Sequence, residues 1–298
     1  MFGSSQGSNS SLPSSSQSSN SSRVFVTDID GTLLGADGEV HPSDAEAIAA
    51  LIKAGVPVTL CTGRMYSGTR EIAEAMRILG PVACIDGSHI VDSTNHIELH
   101  STPLSPQAAE LLFEALERIR PAAFAFSGDR LFHDAHGAQY LDYVSTWSER
   151  TQQVDLLTDF DAWRGPNGTL SALVALGTPS QIRNAEQFIQ TNAEHLQCVT
   201  FEVGRPGFSG TWGLVVRAAG VDKGTAIDWV AAHHGVTAAE VVAVGDWLND
   251  IPMLRRAGRS FAMGQAPDEV KAVATDILKA SARTGGGIAE AAKRAGLL

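Results

Sequence analysis

Positive charge is scarce in this sequence. Twenty-two lysines and arginines stand against 33 aspartates and glutamates, a formal net charge of −11. A nucleic-acid binder needs a basic face for the phosphate backbone, so no nucleic-acid partner is expected. Small anionic substrates are not excluded, because they respond to local charge and bound metal rather than to the total. Cysteine is scarcer still: Cys61, Cys84 and Cys198 are odd in number, far apart and set in apolar, strand-like runs. That excludes a disulfide framework and predicts buried thiols of a reducing compartment. Cys61-Thr62-Gly63-Arg64 raises the question of a thiol nucleophile, but no histidine follows nearby to activate one. Long apolar runs are missing. None reaches the roughly 18–20 residues of a membrane span, so a cytoplasmic protein with no membrane partner is expected. Ionised side chains are absent from residues 1–22, where twelve serines sit among Gly, Asn and Gln. Such a segment cannot bury enough apolar surface to offset its ordering entropy, and it predicts a disordered tail. It has neither the basic start nor the apolar centre of a secretory signal.

What is present is a core-forming sequence, 44% hydrophobic and 18% charged over 298 residues, long enough for one large domain or two ordinary ones. From Arg23 short β-rich runs alternate with helical periodicity. Val24–Thr27 reads as a strand, Ser43-Asp-Ala-Glu46 as a capping box before a helix, and 56–61 as a strand. Ile72, Met76 and Leu79 mark a helix and 82–85 a further strand. This rhythm predicts a Rossmann-like parallel sheet flanked by helices. At Asp86-Gly87 the texture changes. A hairpin (89–92 and 97–99), a helix carrying Leu112, Phe113, Leu116 and Ile119, and strands at 122–126, 130–133, 170–176, 198–203 and 212–217 predict an antiparallel sheet with helices on one face. After Gly220 the α/β rhythm returns, with strands at 241–244 and 260–263. The predicted organisation is α/β: a core of residues 23–86 and 218–298 interrupted by an inserted α+β cap of residues 87–217.

"VFVTDIDGTLL", residues 24–34, poses the chemical question, because a buried strand runs into two aspartates, Asp28 and Asp30. A parallel sheet places its ligand site at the carboxyl ends of its strands. Thr62, Gly63 and Arg64 follow the second strand. Lys223 opens a helix, and Gly245-Asp246-Trp247-Leu248-Asn249-Asp250 follows the strand 241–244. Each segment alone reads as a turn, a strand exit or a cap. Together, carboxylates crowding one concave site disfavour each other's ionisation. A hard cation such as Mg²⁺, which prefers oxygen ligands, resolves that conflict. Carboxylates, metal, a lysine and hydroxyl and N–H donors make a phosphoryl site.

These segments, "DIDGTLL", "LCTGR", the lysine of "GVDKGTAI" and "GDWLND", resemble in order the four signature motifs of the haloacid dehalogenase-like (HAD) superfamily. The insertion looks like the cap of its Cof-type, class IIB phosphatases, and "AMGQAPDEVKAVA" resembles that group's closing segment. The resemblance implies that Asp28 is a nucleophile forming a phospho-aspartate and that Asp30 is the general acid and base. It implies Thr62, Gly63, Lys223 and Asn249 on the phosphate, and Asp250 in support. Mg²⁺ would be held by Asp28, the backbone carbonyl of Asp30, and Asp246. The implied enzyme is a phosphoric monoester hydrolase for a small phosphorylated metabolite, working as a monomer or small homo-oligomer. Sugar phosphates are the default of the subgroup; nucleotide, flavin and pyridoxal phosphates are alternatives. A phosphomannomutase-like phosphoryl transferase also keeps both aspartates, and a non-catalytic ligand-binding protein is the third reading.

Two departures stand out. Asp86-Gly87-Ser88 occupies the crossing where relatives often carry Asn-Gly-Ala, and Trp247 replaces a small residue. Arg64, Asp86 and Trp247 are therefore possible substrate contacts, with Trp247 either stacking on substrate or packing. Arg130, His133, His136, Arg150, Arg164 and Arg205 are the cap's further candidates.

Overall fold

A computed structural model describes residues 23–159, 169–192, 194–204 and 207–298. The serine-rich segment, Arg164 and Arg205 lie outside the described residues. In chain order the elements are β1 (Val24–Thr27), α1 (Pro42–Lys53), β2 (Val58–Leu60), α2 (Arg70–Ala75), β3 (Pro81–Cys84), β4 (His89–Asp92), β5 (Ile97–Ser101) and α3 (Pro106–Ile119). Next come β6 (Ala122–Ser127), β7 (Arg130–His133), α4 (Leu141–Val144), β8 (Thr151–Gln153), β9 (Leu170–Gly177), α5 (Pro179–Asn192), β10 (Leu196–Glu202) and β11 (Trp212–Ala218). The chain closes with α6 (Lys223–His233), β12 (Val241–Gly245), α7 (Ile251–Arg256), β13 (Arg259–Ala262), α8 (Asp268–Lys271), β14 (Asp276–Ile277) and α9 (Gly287–Arg294).

The core sheet has the order β14-β13-β12-β1-β2, with every pair parallel. β1 and β12 are buried along their whole length, as strands covered by helices on both faces must be. Because β1 lies between β2 and β12, the segments after all three strands meet at one carboxyl edge. The sequence places the last core strand at 260–263, but the two-residue β14 extends the sheet beyond it. The strand at 82–85 is not a full member. β3 touches β2 only through a Cys61–Ala83 bridge and pairs instead with β4, which pairs with β5. The expected division at 86/87 thus falls between two strands of one small antiparallel sheet.

Helix ends also differ from expectation. α1 starts before the Ser43–Glu46 box, because Pro42 fits the first helical turn and the His41 ring accepts from Ser43 N–H at 3.3 Å. Asp44 is thereby free to accept from Gly286 N–H and Ala289 N–H, at 2.8 and 2.9 Å, at the start of α9. α2 stops at Ala75: Arg77 turns left-handed, and Leu79 lies past the helix, 67% exposed.

The inserted sheet has the order β10-β11-β9-β6-β7-β8. It is antiparallel except at its edge, where β8, unassigned from sequence, runs parallel to β7. Alternation along its strands separates two faces. Leu173, Leu214 and Val216 pack with α3 and α5, whereas Phe124, Phe126 and Val174 join the large cluster shared with the core sheet. The helix-free face therefore looks down on the core. Cys61 and Cys84 are buried as expected, but Cys198, on β10, is only half-buried. No helix among the described residues is long and apolar enough to cross a membrane.

Candidate active site

β1 ends in Asp28, which is buried. Its backbone N–H continues the sheet by donating to Val244 at 3.0 Å, so the carboxylate is carried on rigid backbone. Opposite it, Lys223 is the first residue of α6, with no exposed surface. A buried ammonium at a helix N-terminus is unfavourable twice over, by desolvation and by the helix dipole. Two carboxylates compensate: Lys223 Nζ donates to Asp28 Oδ1 and to Asp250 Oδ1, each at 2.6 Å. Burial alone would push the lysine down; Asp250 and Asp28 reverse that and hold it above its ordinary range.

Asp250 is fixed in turn. Its second oxygen accepts from the backbone N–H groups of Asp246 and Trp247, at 2.8 and 3.0 Å, closing the turn after β12. That turn presents Asp246 to the site. Thr32 Oγ1 donates to Asp246 Oδ1 at 3.0 Å and Gln265 Nε2 to Oδ2 at 3.1 Å. Neither partner was given a role from sequence. Thr32 lay in the quoted "DIDGTLL" and Gln265 in "AMGQAPDEVKAVA", but only the fold shows that both reach the same carboxylate.

Oxygens of Asp28, Asp246 and Asp250 all lie within 4.8 Å of one another. Burial, opposed by Lys223, leaves the Asp28 carboxyl well above the usual range, with Asp250 and Asp246 adding to the rise. Burial, then Asp250, pushes Asp246 up to about 7, against the hydrogen bonds from Thr32 and Gln265. If all three ionise, one ammonium leaves two negative charges uncompensated. The donor set is all oxygen. Both facts fit a hard divalent cation such as Mg²⁺, for which Asp28 and Asp246 are the available carboxylates.

The sign of the resulting pH dependence follows. An unfolded aspartate titrates near roughly 4, so between about pH 4 and pH 7 the folded protein holds a proton on Asp246 that the unfolded chain lacks. Unfolding free energy therefore falls as pH rises through that window. In EDTA, urea titrations should show lower stability at about pH 7.5 than at about pH 5, and Asp246→Asn should lose part of that difference. An undiminished difference in the variant would contradict the assignment.

Gly31 lies beneath this carboxylate in a left-handed conformation, φ +81°, and a Cβ there would strike Asp246 Oδ2. Gly31→Ala is expected to lower stability by roughly 1–2 kcal/mol from backbone strain alone and to displace Asp246. Denaturation midpoints with and without Mg²⁺ check it: the variant should gain less from the metal than the wild type.

The other expected residues fall on the same edge. Thr62 is buried, its Oγ1 accepting from Arg64 N–H at 3.1 Å. Asp30, with a 58% exposed side chain, is held by Arg64, whose Nε donates to Oδ2 at 2.8 Å. Asp86 is buried and accepts from Asn249 Nδ2 at 2.9 Å and from Arg217 Nη1. Ile85, Asp86 and Gly87 are all left-handed. For a β-branched isoleucine this is strained. Backbone bonds from Ile85 N–H to Arg64 and from Asp86 N–H to Thr62 hold the corner in place.

A cavity of about 290 Å³ opens above Asp28, lined by Asp30, Gly63, Arg64, Asp86, Trp247 and Asn249 from the core. Trp247 stays half exposed on its wall. The described cap candidates are elsewhere. Arg130 donates to Gln152, and Arg150 pairs with Asp129. The His133 ring is engaged by the Asp134 carbonyl, and His136 is exposed. The cap side is instead largely apolar, four aromatic rings and three valines, with Thr200 and, as its one charged residue among the described residues, Arg217. Cys61 lies close by, but burial pushes its thiol up to about 12, which suits a structural thiol.

A sequence profile of the haloacid dehalogenase-like hydrolases matches residues 25–291. The pyridoxal phosphate phosphatase YbhA of Escherichia coli K12 is 28% identical over 269 residues, covering 86% of this chain and 93% of that protein. An HMP-PP phosphatase of Yersinia pseudotuberculosis is 26% identical over 249 residues, covering 84% and 86% respectively. A solved haloacid dehalogenase-like hydrolase of Bacteroides thetaiotaomicron superposes with a TM-score of 0.77 at 21% identity, covering 92% of this chain and 99% of that one.

Proposed function

Because the chain belongs to the haloacid dehalogenase-like hydrolases, we propose that it is a Mg²⁺-dependent phosphatase that hydrolyses a small phosphomonoester through a phospho-aspartate on Asp28. One observation carries the reading: a fully buried Lys223 clamped between Asp28 and Asp250, beside Asp246, with Asp28 itself lining a ligand-sized cavity. An ion-pair network of this kind is not needed to hold up a fold, since buried charges contribute little net stability over apolar packing.

In this reading Asp28 attacks phosphorus. The bond from phosphorus to the ester oxygen breaks, and Asp30 gives that oxygen its proton. Asp30 then takes a proton from water, whose oxygen attacks the same phosphorus. The Asp28–phosphorus bond breaks, freeing phosphate and restoring the carboxylate. Thr62 and the backbone at Gly63 donate to the phosphoryl oxygens, Lys223 offsets their charge, and Asn249 orients the group. Asp28, Asp246 and the backbone carbonyl of Asp30 would hold Mg²⁺, which when bound would supply the remaining charge neutralisation.

The test is phosphate release across sugar, nucleotide and pyridoxal phosphates, with Mg²⁺ or with EDTA. Release that depends on Mg²⁺ is expected from at least one ester. Release from none, or equal release in EDTA, would overturn the reading.

A further inference from the structure

Asp28, Thr62, Lys223, Asp246 and Asp250 are buried and fixed by packing, whereas the Asp30 side chain is 58% exposed. Proton transfer needs an equally defined position, because a displacement of about 1 Å can cost roughly 100-fold in rate. Arg64 supplies one. Its Nε donates to Asp30 Oδ2 and its Nη2 to Oδ1, a planar fork on a carboxylate. The remaining arm, Nη1, donates to the Gly68 carbonyl at 3.1 Å. The position of Asp30 is therefore tied to the conformation of residues 64–68.

That loop is held from the cap. Met65 N–H donates to the Trp147 carbonyl at 2.8 Å, and Ser67 N–H to Asp129 Oδ1 at 2.7 Å. The Ser67 and Ser148 hydroxyls share a hydrogen bond at 2.9 Å. Asp129 lies in the turn between β6 and β7, and Arg150 pairs with its other oxygen at 3.4 Å. Gly68 belongs to the same joint, since a Cβ there would come 2.7 Å from the Trp147 carbonyl oxygen. Trp147 itself lines the cavity, but Ser67, Gly68, Asp129 and Ser148 do not. These four bear on the chemistry only through what they hold.

We propose that Asp129, Ser67, Gly68 and Arg64 are positioning residues, a relay through which the docked cap sets the carboxylate of Asp30. The inference rests on the phosphatase reading and deepens it. The test compares leaving groups in Mg²⁺. 4-Nitrophenolate departs without a proton, whereas the alkoxide of a sugar, nucleotide or pyridoxal ester takes one from Asp30. In a phospho-aspartate mechanism kcat/KM covers the path from free enzyme and ester to the departure of that group. Asp129→Ala should lower kcat/KM for the best alkyl ester of the panel by roughly tenfold, and leave 4-nitrophenyl phosphate within about twofold. Gly68→Ala, which pushes on the joint from the core side, should show the same split. Asp129→Asn keeps an acceptor for Ser67 N–H and should restore most of the alkyl-ester value. A general loss of packing would lower both esters alike. Equal losses for the two esters, or no loss for the alkyl ester, overturn the relay alone. Should Gly68→Ala not fold, the two Asp129 variants decide. Wild-type protein that hydrolyses no alkyl ester overturns the phosphatase reading, and the relay with it.

Discussion

Asp28→Asn is expected to lower phosphate release by at least roughly 10⁴-fold while leaving the fold intact. Nucleophile removal in covalent enzymes produces losses of this order, because the residual rate is only what binding and electrostatics provide. The amide keeps the shape of the carboxylate but cannot form a phosphoryl bond. Stability should change little. Burial already disfavours the Asp28 charge, and Lys223 keeps its second partner, Asp250. Thermal unfolding and circular dichroism matching the wild type, together with absent turnover, is the expected pair of results. Turnover within tenfold of wild type would remove Asp28 from the mechanism.

Lys223→Met should show a loss of a different kind, in stability as well as activity. Asp28 and Asp250 both rely on this ammonium at 2.6 Å, and Asp250 has no exposed surface. Removing one partner of a buried pair leaves uncompensated charge and costs about 3–5 kcal/mol. For a chain of this size that corresponds to a fall in Tm of roughly 10 °C. The midpoint of denaturant unfolding should move while its slope stays constant, since the surface exposed is unchanged. A midpoint equal to wild type would mean that the two carboxylates are satisfied in some other way.

The sheet order and the carboxylate site differ in how far the sequence foreshadows them. β1 and β12 announce themselves as continuous apolar runs because both faces of a parallel sheet are buried, and the polar residues after them must lie at its carboxyl edge. Asp28 and Asp246 are therefore visible from pattern alone, whereas Lys223 follows neither strand and by itself reads as a first-turn lysine. Edge elements are weaker. β8 and β14 are too short to carry periodicity, and α9 opens on glycines and depends on Asp44, more than 200 residues upstream, for its N-terminal bonds. Thr32 and Gln265 are hidden for the same reason, since nothing local shows that they converge on Asp246. Arg130, His133, His136 and Arg150 do not line the cavity; in sequence, arginines and histidines look like ligand groups wherever the fold puts them. The residues that face the cavity, Phe126, Trp147 and Phe201, look like core. For Phe126 and Phe201, on β6 and β10, only the strand alternation tells them apart once the sheet's two faces are known; Trp147 lies in the turn after α4 and has no such signal.

The covalent step is open to direct observation. Asp30→Asn should still accept a phosphoryl group from 4-nitrophenyl phosphate, whose leaving group needs no proton, but should hydrolyse it slowly because water is no longer activated. The measurement is mass spectrometry of that variant, acid-quenched after incubation with Mg²⁺ and 4-nitrophenyl phosphate. One phosphoryl group on the peptide containing Asp28, absent when Asp28 is also changed to Asn, is the expected result. Nitrophenol release with no phosphorylated peptide, or with the phosphoryl group on another residue, would contradict the account.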